Sequence, residues 1–97
     1  MRVIAKRTLR DFWEQHPDAE ESLLSWYREV EHEDWDTPAK VKQRYPSASI
    51  VGDNRVVFNI KGNRYRLVAK VNYPARIVRI RFVGTHADYD RIDVEEI

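Results

Sequence analysis

Between Asn54 and Ala87 the chain holds eight Lys or Arg side chains and not one Asp or Glu. Apolar residues recur there at every second position, in RVVFNI (55–60), RYRLVAKVN (64–72) and IVRIRFV (77–83). Period two is the signature of half-buried strands, whose side chains alternate between faces. A stretch that is both alternating and free of carboxylates must gather its cations on one sheet face. Like charges set opposite one another there are destabilising. A counter-charge from outside the stretch, or an anionic ligand, is therefore expected.

Upstream, residues 17–36 carry eight acidic residues and one basic residue, Arg28, so the net +1 of the whole chain is a cancellation between two unlike segments. Such asymmetry points toward nucleic acid. The plainer alternative is a set of helices with surface Glu and strands with surface Arg. With 97 residues, 42% of them hydrophobic, one domain spanning 1–97 with a small core is expected. The absence of Cys excludes disulfides and thiolate metal sites and suits a reducing cytosol. No apolar run approaches a membrane span, and the charged start MRVIAKRTLRDF lacks the apolar core of a signal peptide.

Val3 and Ile4 form a short apolar start, read as a strand. Thr8 with Asp11 predicts a helix start, and Leu9, Phe12 and Trp13 give it an apolar face up to His16, where Pro17 stops it. Asp18 with Glu21 predicts a second start, with Leu23, Leu24, Tyr27 and Val30 inward. Thr37-Pro38 predicts a third, with Val41 and Tyr45 inward. Residues 47–54 read as a loop, Gly62-Asn63 as a hairpin connection, and 73–76 as a turn. Gly84 is read as the end of the last strand, and Thr85 with Asp88 caps a final helical turn holding His86, Tyr89 and Ile92. The order predicts an α+β domain with an N-terminal strand and helices packed on one face of an antiparallel sheet. Trp13, Trp26, Trp35, Tyr27, Phe58 and Tyr65 are assigned to packing.

Strict alternation places Tyr65, Leu67, Ala69, Val71, Val78, Ile80 and Phe82 toward the helices. Arg66, Lys70, Arg79 and Arg81 then converge on the other face. Phosphate suits such a set, because Arg binds it bidentately and stays charged. The alternative is a solvated face with some Arg paired to Asp88, Asp90 or Asp93. His86 and Tyr89 sit one helical turn apart just past the last strand, within reach of the edge of the basic face. A His beside Arg and Lys, with a Tyr hydroxyl nearby, can run metal-free RNA cleavage. The other reading of His86 is a capping or core residue. His16 and His32 show no ligand spacing and are read as surface residues. No metal or other cofactor is expected.

The chain resembles the HigB-type toxins of bacterial toxin–antitoxin modules, within the RelE/ParE superfamily. The likeness runs nearly end to end and is strongest over residues 56–91. Its marks are FNIKGNRYRL (58–67), IRFVGTH (80–86) and THADYD (85–90), with WDTPAKVKQRYPSAS (35–49) upstream. The resemblance implies a RelE-like fold with a curved sheet and active residues on its concave face and near the C-terminus. It implies an mRNA interferase that cuts translated mRNA on the ribosome, inhibited by a HigA-type helix-turn-helix antitoxin. It makes Arg66 the phosphate-binding arginine, and His86 and Tyr89 the acid/base and stacking or positioning residues. Lys61, Asn63, Arg79 and Arg81 are further RNA-binding candidates, beside Lys70 from the face assignment.

Two other functions stay open on the sequence. The superfamily also contains toxins that poison DNA gyrase and cut nothing. A plain RNA-binding domain without chemistry would equally need the cationic face. The acidic segment 18–36 could be an antitoxin surface, or could limit non-specific RNA binding.

Overall fold

The computed structural model describes residues 1–97. The chain runs β1 (Arg2–Ile4), α1 (Lys6–Gln15), a 3-10 turn (Pro17–Ala19), α2 (Glu20–Glu31), α3 (Pro38–Arg44), β2 (Ser49–Val51), β3 (Arg55–Ile60), β4 (Tyr65–Asn72), β5 (Ile77–Thr85) and α4 (His86–Tyr89). This is the expected α+β architecture, with one refinement. The five strands lie in the order β1-β5-β4-β3-β2, and β1 pairs parallel to β5 while every other pair is antiparallel. The sheet is therefore mixed. A long connection through the helices brings β1 to the edge, and such a crossover permits parallel pairing where a tight turn would not.

Leu9, Leu23, Trp26, Val30, Trp35 and Val41 from the helical half meet Val56, Phe58, Ile60, Tyr65, Leu67, Ala69, Val71 and Val78 from the sheet. Trp26 packs edge-on against Phe58, and Trp35 stacks on it, so the tryptophans are core, as expected. Tyr27 and Trp13 pack half-buried at its margin. His16 is also half-buried, stacked on Phe12 and edge-on to Tyr65, rather than a free surface residue.

Several boundaries differ from the expected ones. α1 begins at Lys6, because the Thr8 N–H closes the first turn on the Ala5 carbonyl. Asp18 does not cap α2. Its carboxylate is taken instead by the β3–β4 hairpin, accepting from the Tyr65 hydroxyl, Arg64 (2.8 Å) and Lys61 (3.3 Å). Two cations and a phenol outweigh a single capping bond. Residues 49–51 are a strand, because Asp53 and Asn54 both take left-handed backbone (φ 60°) and turn the chain into β3. That conformation is most accessible to Gly, Asn and Asp. Thr37 caps α3 and the Thr85–Asp88 capping box opens α4, both as expected.

Candidate active site

The strand register defines three rows on the sheet face away from the helices. The first is Asn59–Arg66–Gly84, the second Ser49–Val57–Val68–Phe82, the third Val51–Arg55–Lys70–Arg79. Phe82 is not where alternation put it. Val68 pairs with Phe82 but Ala69 pairs with Ile80, so Arg81 is an extra residue in a β-bulge. The bulge reverses the alternation beyond it. Phe82 therefore joins the cationic face, and Val83 turns inward against the core. Period-two reasoning could not see this, because a bulge adds one residue without altering composition.

The eight cations of the carboxylate-free stretch are not equivalent. Lys61 and Arg64 are drawn to Asp18, Arg76 to Asp34, and Arg55 and Lys70 to Asp53. Asp53 and Asp18 accordingly hold their carboxyls below the usual carboxylate range. Arg66, Arg79 and Arg81 form no ion pair at all. The carboxylates offered to these arginines by the sequence, Asp88, Asp90 and Asp93, do not take them. Asp88 serves the capping box and Asp90 lies 3.3 Å from His86 Nδ1.

Arg66 is the most constrained of the three. Its Nη2 donates to Asn63 Oδ1 (3.2 Å), its guanidinium lies 5.1 Å from the centre of the Tyr89 ring, and its Nε is buried without a partner. Asn63, Arg66 and Tyr89 are thus brought together. His86 opens α4 beside them, with its main-chain N–H donating to the Arg64 carbonyl. Its ring is exposed, with the Asp90 carboxylate beside Nδ1. Lys61 is not part of this group. Its ammonium binds Asp18 and lines a groove with Glu21 and Trp26 on the helical side.

Lys70, Arg79 and Arg81 meet at the far end of the same face, around a cavity of about 520 Å³ that Asn54 and Asn72 also line. Arg66 and Lys70 are four residues apart on β4, so the two clusters stand about 13 Å from each other. Between them the face is covered. Tyr89 lies over the first row, and the Ile97 main-chain oxygen accepts from Arg55 Nε (2.6 Å) in the third. Residues 90–97 therefore cross the second row, where Val57 and Val68 are buried although neither belongs to the core under the helices. Ile92, Val94 and Ile97 are the half-buried residues of this strap, and Asp93, Glu95 and Glu96 stay exposed. Its i, i+2, i+5 apolar pattern was the only sequence signal.

Chemically the arrangement offers one guanidinium without a counter-ion beside an aromatic ring, one imidazole with a carboxylate beside it, and a second pair of free arginines along the face. That combination fits a phosphodiester. No helix is long and apolar enough to cross a membrane.

A family model described as HigB toxin, the RelE-like toxic component of a toxin–antitoxin system, matches residues 19–92. The chain is 30% identical over 92 residues to the mRNA interferase toxin HigB of Escherichia coli K12, covering 93% of this chain and 88% of that protein. The mRNA interferase HigB of Shigella flexneri matches to the same extent. That of Escherichia coli O6:H1 is 23% identical over 94 residues, 95% of this chain and 91% of that protein.

Proposed function

The chain belongs to the HigB toxin family, and from that membership we propose that it is a ribosome-dependent endoribonuclease that cuts translated mRNA without a metal ion. The observation that carries this reading is Arg66, a half-buried guanidinium with an orphaned Nε and no carboxylate partner. A buried polar group left unpaired is costly. A phosphate arriving at Arg66 would satisfy it.

The ribose 2′-OH attacks the adjacent phosphorus and the bond to the 5′-oxygen breaks. The products are a 2′,3′-cyclic phosphate and a 5′-hydroxyl end, whose oxygen takes its proton from water. Arg66 stabilises the added charge on the phosphorane. The Asp90 carboxylate, 3.3 Å from His86 Nδ1, favours a proton on that nitrogen, which leaves Nε2 as the proton acceptor. Tyr89 stacks on Arg66 and orders it. Asn63 accepts a hydrogen bond from the guanidinium, while Lys70, Arg79 and Arg81 take backbone phosphates further along the strand. A HigA-type helix-turn-helix antitoxin would restrain this activity in the bacterial cytoplasm.

The test is to map mRNA 5′ ends after inducing the wild type, Arg66→Ala and His86→Ala. New 5′-hydroxyl ends within translated frames are expected for the wild type and should vanish in both variants. Growth arrest with intact mRNA and an induced DNA-damage response would refute the nuclease and favour a gyrase poison.

A further inference from the structure

We propose that Phe82 is a positioning residue that holds Tyr89, and through Tyr89 the Arg66 guanidinium, in working orientation. The catalytic half of this inference rests on the nuclease reading above; the packing half does not.

The bulge at Arg81 places an aromatic side chain on a face whose strands otherwise present cations, valines and small or polar residues. The Phe82 ring does not stand out into solvent. It lies over Gly84 and against Tyr89, with ring centres 6.5 Å apart. A Cβ on Gly84 would stand 2.5 Å from Phe82 Cζ and 3.1 Å from Asp88 Cβ. The missing side chain at Gly84 is therefore the space the ring occupies, which is why the strand passes through this glycine instead of ending there. Phe82 forms a floor under α4, and Tyr89 rests on that floor.

Arg66 depends on this stack more than most arginines depend on a neighbour. Its only side-chain hydrogen bond goes to the neutral Asn63, and no carboxylate touches it. A carboxylate would fix the guanidinium more firmly but would also neutralise it before a phosphate arrived. Aromatic support orders the group and leaves its charge free. Without Phe82 the Tyr89 ring loses its floor, and Arg66 keeps one bond at the end of a long flexible side chain.

The experiment compares Phe82→Ala, Phe82→Leu and Gly84→Ala in the full-length protein. The first readout is the Arg66 Nε–H resonance, which the Tyr89 ring current displaces. The second is single-turnover cleavage of mRNA on programmed ribosomes, with rate at saturation separated from apparent affinity. Phe82→Ala is expected to move the Arg66 resonance toward that of an unstacked arginine. Its saturating rate should drop about 10- to 100-fold, the scale of a small misplacement of a reacting group. Apparent affinity should change much less, because Arg79 and Arg81 are untouched. Gly84→Ala, which pushes the ring aside, should reproduce both effects, and Phe82→Leu, which keeps an apolar floor, should recover most of the rate. If Phe82→Ala does not fold, the other two variants decide the matter. An unmoved Arg66 resonance together with a wild-type rate in folded variants overturns the proposal. If the resonance moves but the wild type cuts nothing on ribosomes, the nuclease reading fails and the packing relay stands.

Discussion

The guanidinium of Arg66 lies 5.1 Å from the centre of the Tyr89 ring, on a sheet face where neighbouring cations are tied to carboxylates and this one is not. The charge is ordered by a ring instead of an anion, so it stays available for phosphate. Arg66→Lys should lower cleavage about 10²- to 10³-fold, as loss of one preorganised donor at a developing charge does. An ammonium keeps the charge but loses the planar fork and the stacking surface. Tyr89→Phe should retain most activity and Tyr89→Ala should not. If Tyr89→Phe were as inactive as Tyr89→Ala in single-turnover cleavage, the hydroxyl would be the working group and the stacking role would be wrong.

Asp90 lies 3.3 Å from one nitrogen of His86, and this yields an ordered pair of effects. His86→Ala removes the proton carrier and should cost about 10²- to 10⁴-fold in rate. Asp90→Asn leaves the imidazole in place but weakens its orientation, so its loss should be clearly smaller. Rates measured on the same ribosomal substrate check the order. An Asp90→Asn variant as damaged as His86→Ala would give Asp90 a part in the proton transfer itself.

The sequence announced the large features through repetition. The period-two runs of β3, β4 and β5, the apolar faces of α1 and α2, and the capping signals at Thr37 and Thr85 all depend on neighbours a few residues away. Long-range competition was invisible. Asp18 has a good capping position, yet Lys61, Arg64 and Tyr65, more than forty residues on, take its carboxylate. Counting charges showed eight cations in the stretch, but only the fold showed that Arg55, Lys61, Arg64, Lys70 and Arg76 are already paired. The approach of Tyr89 to Arg66 was legible because the strand and cap signals that place them were strong. Phe82 was misplaced by one inserted residue, and the strap over Val57 and Val68 left only a short apolar pattern.

Arg79 and Arg81 stand apart from Arg66 and have no ion pairs, so their contribution should be electrostatic and independent of base sequence. Replacing both with Ala should weaken binding to a short single-stranded RNA about equally for unrelated sequences. Each lost phosphate contact should reduce the slope of log affinity against log salt by about 0.7. Titrations of the wild type and the double variant at several salt concentrations measure this directly. An unchanged slope would show that these arginines do not touch the RNA backbone.

The Asp18 hub makes a prediction about stability in acid. The Tyr65 hydroxyl, then Arg64 and Lys61, favour the ionised carboxyl and hold Asp18 well below the usual carboxylate range. A group whose pKa is lowered by folding stabilises the native state at pH values above its unfolded pKa, about 4 for Asp, and the contribution fades as pH falls below that. Asp18→Asn should therefore have a lower Tm than the wild type at pH 7. The two curves of Tm against pH should converge as the pH drops from about 4 toward strong acid. The hub ties the β3–β4 hairpin to the turn before α2, so hydrogen exchange at Lys61–Arg64 should rise in the variant before that of the β4 centre does. Parallel Tm curves across the whole range would mean that the hub adds no net stability through its charge.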